Sequence, residues 1–258
     1  MPTTTQYATY PSLAERLILV SGGASGIGES IVLAFAQQNS KVVFLDINAE
    51  AGQKLSSSVA ALGLPMPAFY CCDLTDIDAL QRTFAEISSS HGPVDVLVNN
   101  AGDDTRHRVE DVTSSSWDRI MAVNLKQQFF LCQCVLPAMR RQKRGSIINM
   151  SSIGWMIPST GVPVYVTAKA AIVGMTRTLA HEAGPDEVRV NCVLPGAILT
   201  ERQARLWFTD QYRDEILNAQ AIKRMILPEE VAHLVLFLAA DDSSGITNQS
   251  YIVDGGWV

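Results

Sequence analysis

Short runs of apolar and β-branched residues alternate with longer segments of helical period along almost the whole chain. The apolar runs are continuous, which is typical of strands buried on both faces. They lie at Leu17 to Val20, Val42 to Leu45, Val94 to Val98, Ile147 to Met150, Val188 to Leu194 and Tyr251 to Val253. The helical segments lie at Ile27 to Gln38, Ala49 to Leu62, Ile77 to Ser89, Ser115 to Arg141, Val164 to Ala183 and Pro228 to Ala240. Because this alternation implies right-handed βαβ crossovers, we expect an α/β fold with a doubly wound parallel sheet and helices on both faces.

The length of the chain, 258 residues, is usual for a single α/β domain. We expect that domain over residues 16–258, preceded by a Thr-rich extension at residues 1–15. One interval departs from the alternation, because about thirty residues separate Pro195 from the next clear helix at Pro228. Its aromatic and charged side chains favour a substrate lid over a flexible loop for residues 195–227.

The composition of the chain bears on which classes of binding partner it can have. Hydrophobic residues make up 47% of the chain and the formal net charge is −6, values that exclude a disordered chain. Basic residues are scattered apart from a cluster at 140–144, which we interpret as a helix end rather than a nucleic-acid site. The longest apolar run, Leu234 to Ala240, falls short of the roughly 20 residues that a membrane helix needs. We therefore expect neither a nucleic-acid nor a membrane partner.

The cysteines and the N-terminal residues bear on the cellular compartment. The five cysteines lack zinc-binding spacing, so we expect no metal site and interpret them as buried thiols. The first fifteen residues carry no basic region followed by an apolar stretch, so no secretory signal is predicted. The expected location is the reducing cytoplasm.

A glycine-rich turn links the first predicted strand to the first helix. Its sequence, from Ser21 to Gly28, permits a tight bend and lets a pyrophosphate approach the positive end of the helix. The spacing is not G-x-G-x-x-G, so that dinucleotide fingerprint does not apply as written. The predicted cofactor contacts in the turn are Gly22, Ser25, Gly26, Ile27 and Gly28.

Asp46 ends the second predicted strand eighteen residues after Gly28, where a carboxylate that binds the adenosine ribose belongs. It would repel the 2′-phosphate of NADP by roughly 1 to 4 kcal/mol. Ile47 follows it, and no arginine or lysine stands beside it in the motif. The sequence therefore predicts a preference for NAD, with Asp46 and Ile47 among the cofactor contacts.

Tyr165 and Lys169 are four residues apart on a predicted helix and therefore share a face, and Ser152 lies thirteen residues before Tyr165. A phenol is a poor base at neutral pH, but a neighbouring ammonium favours its anion and would lower its pKa. Ser152 would donate a hydrogen bond to the reacting oxygen. These three residues therefore predict a site for general acid–base catalysis.

Taken in order, the motifs of this chain resemble those of the classical short-chain dehydrogenase/reductase family, from Arg16 to the C-terminus. One departure is Ser21, where the family usually has threonine, and the exchange should preserve the hydroxyl's hydrogen bond. The matching motifs are the glycine turn, Asp73-Leu74, Asn99-Asn100-Ala101-Gly102, Asn124, Ser151-Ser152, Tyr165 to Lys169, Pro195-Gly196 and Asp254-Gly255-Gly256.

The resemblance implies a single Rossmann-like domain and a homotetramer assembled through the long helices at Ser115 to Arg141 and Val164 to Ala183. It implies that Tyr165 is the catalytic base, that Lys169 holds the nicotinamide ribose and that Ser152 positions substrate. Asn124 would hold a water in the proton relay. Further cofactor contacts implied by the resemblance are Asp73, Leu74, Asn100, Ala101, Gly102, Pro195, Gly196, Ile198 and Thr200, besides Tyr165 and Lys169 themselves.

A dense polar run, Asp103 to His107, directly follows Gly102 at the end of a predicted strand. Such side chains suit a polyhydroxylated substrate, while Trp155 and Trp207 could stack against a sugar ring. The run resembles the corresponding segment of bacterial aldose dehydrogenases in the family. His107 itself is interpreted as a structural partner. The predicted substrate contacts are Asp103, Asp104, Arg106, Ser152, Trp155, Tyr165 and Arg202.

These observations favour NAD-linked oxidation of an aldose at its anomeric hydroxyl, giving a lactone. One alternative is an NAD(H)-dependent dehydrogenase or reductase of a non-sugar ketone or secondary alcohol, which the polar run disfavours. Another is a non-catalytic protein that senses a dinucleotide, which the intact Ser152, Tyr165 and Lys169 disfavour.

Overall fold

The computed structural model describes residues 7–258. In that range the chain forms one seven-stranded sheet in the order β3-β2-β1-β4-β5-β6-β7, with every neighbouring pair parallel. The strands are β1 (Leu17–Ser21), β2 (Lys41–Asp46), β3 (Ala68–Cys71), β4 (Val96–Asn99), β5 (Gly145–Met150), β6 (Val188–Pro195) and β7 (Ser250–Val253). The order reverses at β1, so the predicted doubly wound parallel sheet is confirmed.

Helices cover both faces of the sheet, as predicted. Across the described residues they are α1 (Gly26–Gln37), α2 (Ala49–Ala61), α3 (Ile77–His91), α4 (Ser114–Met121), α5 (Gln127–Gln142), α6 (Pro163–Ala183), α7 (Glu201–Leu206), α8 (Asp210–Ala219) and α9 (Pro228–Ala239). None of these helices combines the length and the apolar character that crossing a bilayer requires.

The alternating side chains of β1 show how one strand supports two cores. Ile18 and Val20 pack on one face of the sheet, in the core to which α1 and α9 contribute. Leu17 and Leu19 pack on the other face, against side chains of α3, α5 and α6. Because successive strand residues point to opposite faces, a strand buried on both sides must be continuously apolar.

Strand β3 was not predicted. Its four residues, Ala-Phe-Tyr-Cys, form a short run without β-branched side chains, and they lie at the edge of the sheet, partly or fully exposed. Pro65 and Pro67 precede it closely, and proline favours an interpretation as a loop. Pairing with β2 supplies the backbone hydrogen bonds that make it a strand.

The helix predicted over Ser115 to Arg141 is interrupted. A π-helical turn, Ala122–Lys126, separates α4 from α5. The side-chain amides of Asn124 and Gln127 donate to the carbonyls of Ile120 and Val123, at 3.0 and 3.3 Å. A π-helical turn adds one residue to a helix, which barely changes the spacing of its apolar residues. The sequence pattern therefore does not reveal the interruption.

Residues 195–227 contain two helices, α7 and α8, where no clear helix was predicted. Thr200 and Thr209 are their N-caps, each accepting a backbone N–H at 3.2 Å. The two ends of the segment meet, because Ile198 pairs with Ile226 in an isolated parallel bridge. The segment therefore leaves the sheet and returns close to the point where it began.

Two smaller expectations concern the cysteines and the N-terminal extension. Cys72, Cys132 and Cys192 are buried, but Cys134 is half-buried and Cys71, at the end of the edge strand, is exposed, so the prediction of five buried thiols was wrong. Residues 1–6 of the predicted extension lie outside the described residues. The remainder includes Leu13, which is fully buried in the core.

Candidate active site

The carboxyl ends of the central strands open into one large cleft of about 1210 Å³. It lies where β1 is flanked by β2 and β4, the point at which the strand order reverses. Open parallel sheets bind ligands at such a switch point because the connecting loops diverge there. The cleft runs from the glycine turn, past Tyr165, to helices α7 and α8.

The glycine turn forms the floor of one end of the cleft. Gly22 and Gly26 have φ values of 65° and 58°, which side-chain-bearing residues rarely adopt. A Cβ added at Gly28 would lie 1.9 Å from the carbonyl oxygen of Gly22. The turn therefore brings backbone against the N-terminus of α1 in a way that only glycine permits, and this leaves room for a phosphate.

Ser21 and Asn100 tie the turn to the end of β4. The Ser21 hydroxyl oxygen accepts the backbone N–H of Asn100 at 3.0 Å and that of Ala101 at 3.1 Å. The Asn100 side-chain amide donates to the Gly22 carbonyl at 2.8 Å. Serine in place of threonine therefore keeps the expected hydroxyl bond.

Asp46 lies at the cleft end of β2, beside the glycine turn. Its two carboxylate oxygens accept the backbone N–H groups of Ala24 and Asn48, each at 3.0 Å. These bonds hold the carboxylate at the mouth of the turn, where it fits the ribose of a dinucleotide whose phosphates lie over the glycines. Lys54 of α2 also lines this part of the cleft, a cation that the motif alone did not reveal.

Lys169 is buried below the cleft, with 3% of its surface exposed. Its ammonium donates to the Met150 carbonyl at 2.9 Å and lies 5.5 Å from the centre of the Tyr165 ring. The Ser151 hydroxyl donates to the Lys169 carbonyl at 2.6 Å, which fixes α6 against the end of β5. The Ser152 hydroxyl accepts the Gly154 N–H at 3.0 Å and lines the same cleft as Tyr165 and Lys169, so the predicted trio is brought together.

Burial dominates the titration of both Tyr165 and Lys169. It raises the pKa of Tyr165 to about 12, with the Asp104 carboxylate adding to the rise and the Ser152 hydroxyl opposing it. It lowers the pKa of Lys169 to about 8. The prediction that Lys169 would lower the pKa of Tyr165 was therefore wrong, because desolvation of the phenolate sets the direction of the shift.

Asn124 lies in the π-helical turn, fully buried behind Gly102. Its side-chain oxygen accepts the backbone N–H of Asp103 and its nitrogen donates to the Asp103 carbonyl, both at 3.0 Å. A Cβ at Gly102 would lie 2.9 Å from the Asn124 oxygen and 3.3 Å from the Lys169 nitrogen. Gly102 thus allows the loop after β4 to pass directly over both residues.

The charged side chains predicted to bind substrate contact one another. Arg202 of α7 pairs with Asp103 at 3.1 Å and also with Asp104. Arg106 stacks on two rings of the lid segment, with its guanidinium 5.2 Å from the centre of the Trp207 ring and 5.9 Å from that of Tyr212. These contacts fasten the loop after β4 to α7 and α8.

His107 joins the same loop to α6. Its backbone N–H donates to the Gly161 carbonyl at 2.8 Å, and its ring nitrogen Nε2 accepts the Val164 N–H at 3.5 Å. That acceptor role leaves Nδ1 as the donor to the Thr105 carbonyl, at 3.0 Å. His107 is a structural partner, in agreement with the sequence-based interpretation.

Most predicted site residues line the cleft, with three exceptions. Trp207, predicted to stack against a sugar ring, lies outside the cleft lining, with the Arg106 guanidinium over its ring. Trp155, predicted to bind substrate, is 39% exposed and lies outside the cleft lining. It ends a short 3-10 turn that directs Ile153 into the core and turns Trp155 outward, so that prediction was wrong. Asn124 lies behind the wall rather than on it. Lining residues that sequence reasoning missed include Lys54, Arg119, Ser159, Thr160, Gln203, Tyr212 and Trp257.

Comparison with known proteins agrees with this geometry. A family model described as enoyl-(acyl carrier protein) reductase matches residues 22–258. The D-xylose 1-dehydrogenase of Caulobacter vibrioides is 46% identical over 250 residues, covering 97% of this chain and 98% of that protein. The probable galactose dehydrogenase GalD of Rhizobium meliloti is 45% identical over 247 residues, covering 96% of each. A solved 3-oxoacyl-[acyl-carrier protein] reductase of Brucella melitensis with bound NAD matches with a TM-score of 0.87 at 32% identity, covering 100% of this chain and 98% of that one.

The matched region includes the glycine turn, the end of β4 and the Tyr165 helix together, so the similarity extends over the whole cleft. The chain belongs to the short-chain dehydrogenase/reductase family of oxidoreductases.

Proposed function

We propose that this protein oxidises an aldose at its anomeric hydroxyl with NAD, releasing a lactone that hydrolyses to the sugar acid. The observation that carries the proposal is that Ser152, Tyr165 and Lys169 line one cleft together with a set of polar side chains. These polar side chains include Asp103, Asp104, Ser159, Thr160, Arg202 and Gln203. The names of the two sugar dehydrogenases that resemble this chain over nearly its full length support the same substrate class.

The roles of the protein's own groups follow from their positions. Tyr165 accepts the proton of the anomeric hydroxyl while Ser152 donates a hydrogen bond to the same oxygen. Lys169 holds its charge below the phenol and compensates the negative charge that develops there. The glycine turn and Asp46 would hold NAD, which when bound supplies the hydride acceptor.

The neighbours of the cleft favour a polyhydroxylated substrate over an apolar one. Asp103, Asp104 and Gln203 line the same cleft as Tyr165, and although they bond one another or Arg202, a substrate rich in hydroxyl groups can add hydrogen bonds to them that an apolar substrate cannot. The other predicted contacts, Arg106 of the loop after β4 and Ile198 and Thr200 at the base of the lid segment, line the same cleft. We propose that they contact sugar and cofactor, respectively.

The proposal also includes a cytoplasmic homotetramer assembled through the long helices. Trp117 of α4 and Phe129 of α5 are 41% and 45% exposed, and their apolar surface would be buried by a second copy of the chain.

A panel of pentoses, hexoses and 6-deoxyhexoses assayed with NAD tests the substrate class. We expect NADH to form with at least one aldose and a lactone to be trapped from the mixture. The methyl glycoside of the same sugar keeps the ring and the other hydroxyl groups but has no free anomeric hydroxyl, so it should be inert. No turnover with any sugar, together with activity on simple ketones, would contradict the proposal.

Replacing Tyr165 with phenylalanine removes the proton acceptor and leaves the ring. We expect kcat to fall by about a thousandfold or more, because positioned acid–base groups contribute roughly 10² to 10⁴. NAD binding, followed by fluorescence titration, should remain close to that of the wild type. Tyr251→Phe, on β7 and outside the cleft, is the matched control and should retain full activity. A fully active Tyr165→Phe variant would refute the assignment.

Coenzyme preference tests the role of Asp46. We expect kcat/KM to favour NAD over NADP by at least about fivefold, because the carboxylate would repel a 2′-phosphate by roughly 1 to 4 kcal/mol. Asp46→Asn should reduce that ratio, whereas Lys54→Gln should increase it by removing the nearby cation. Equal or better turnover of NADP by the wild type would show that the carboxylate does not select the cofactor.

The lowered pKa of Lys169 makes its contribution to stability depend on pH. The pKa of Lys169 is about 8 in the folded protein and 10.5 when unperturbed. Between these two pH values the unfolded chain binds a proton at Lys169 that the folded chain does not. Stability therefore rises with pH in this window. Relative to Lys169→Met, the free energy of unfolding of the wild type should increase by about 2 kcal/mol between about pH 7.5 and pH 10. Urea denaturation of both proteins measures this difference, and a constant difference would show that Lys169 titrates normally.

A further inference from the structure

The loop after β4 and helix α7 share a cluster of opposite charges beside the cleft. Arg202 pairs with both Asp103 and Asp104, and the Gln203 amide also donates to Asp104. The side chains of Arg202 and Asp104 are 42% and 22% exposed, so the pair is partly shielded from water. Because 98 residues separate the two partners, the pair exists only when the lid segment lies against the loop.

This pair is close to the acid–base groups. Gly102 lies directly over the Lys169 nitrogen, and the next residue, Asp103, is held by the buried Asn124. The loop therefore leaves the catalytic groups with Asp103 and Asp104 as its first two side chains, and both line the same cleft as Tyr165. A charge at this point acts on the phenol through a region from which much of the water is excluded.

The charged groups that face Tyr165 come from four elements. Lys169 lies below the ring on the same helix, α6, at 5.5 Å from the ring centre. Asp103 and Asp104 come from the loop after β4 and Arg202 from α7, and all three act on the Tyr165 hydroxyl electrostatically. Arg119 of α4 lies 3.5 Å from Asp103 and offsets part of its charge. Asp104 carries the largest of the negative influences, and Arg202 is its direct counter-ion.

We propose that Asp104 and Arg202 are positioning residues that set the charge around Tyr165, with Arg202 neutralising the Asp104 carboxylate so that the phenol can release its proton to water and accept one from the sugar. This rests on the proposed function, in which Tyr165 is the proton acceptor. It assigns to α7 an electrostatic role in the reaction, beyond covering the substrate.

The contact between Arg202 and Asp104 could hold the lid segment in place or set the charge near Tyr165, and the two roles predict different effects of mutation. If the contact only held the lid segment in place, removing either partner would weaken the same closure and both variants would lose activity in the same way. If the pair sets the charge, the two variants have opposite effects. Loss of Arg202 leaves a carboxylate beside the phenol and disfavours the phenolate, while loss of the Asp104 charge favours it.

The experiment measures kcat/KM for the best sugar of the panel against pH at saturating NAD. The midpoint of the alkaline rise should move up by about half to one pH unit in Arg202→Gln and down by a similar amount in Asp104→Asn. The double variant should return close to the wild-type midpoint, because both charges are gone. Arg202→Lys keeps the charge and should keep the midpoint even if KM increases.

Arg213→Gln removes the same charge from an exposed position on the neighbouring helix α8, outside the cleft lining, and should leave the midpoint unchanged. If Arg202→Gln does not fold, Asp104→Asn and Arg202→Lys still decide the question through their midpoints. Equal losses of kcat with unmoved midpoints, or shifts in the same direction, would overturn the proposal. A fully active Tyr165→Phe variant would instead refute the proposed function, so the two failures can be told apart.

Discussion

The structure depends on how closely the end of β4 approaches the turn after β1. Ser21 accepts two backbone N–H groups from the strand end, and Asn100 returns a hydrogen bond to the Gly22 carbonyl. A Cβ at Gly22 would lie 2.7 Å from Ala101, so the two segments approach as closely as backbone allows. This contact joins the cofactor end of the cleft to the loop after β4. The hydrogen bonds of Ser21 and Asn100 therefore fix the positions of the cofactor end and of this loop relative to each other.

The same closeness explains why the acid–base groups are strongly desolvated. The loop after β4 passes directly over Lys169, and burial lowers the pKa of the amine to about 8 and raises that of the phenol to about 12. Below pH 8 the amine keeps its proton and so does the phenol. Among the neighbouring groups, the Ser152 hydroxyl and the Arg202 guanidinium lower the pKa of Tyr165, while the Asp104 and Asp103 carboxylates raise it.

Much of this architecture could be predicted because it rests on local rules. Continuous apolar runs identified every strand except β3, which is short, lacks β-branched residues and closely follows two prolines. The glycine turn was predictable because its backbone conformation requires glycine at Gly22 and Gly26. Spacing of four residues placed Tyr165 and Lys169 on one helical face. The direction of the Tyr165 pKa was not predictable, because desolvation depends on the loop that covers the site and not on the spacing of the two residues.

The ion pairs on the substrate side of the cleft could not be predicted from the sequence, for a related reason. Asp103, Asp104 and Arg202 were identified as polar groups facing a sugar, but residue identity does not tell which charges already have partners in the fold. The pairs join segments about a hundred residues apart, and neither segment carries a pattern that reveals the other. A paired carboxylate has fewer free lone pairs for a substrate hydroxyl, and the Gln203 amide is likewise bonded to Asp104. Under the proposed function, recognition of a sugar would therefore depend more on neutral hydroxyl groups that line the same cleft, such as those of Ser159 and Thr160, than on the charged residues.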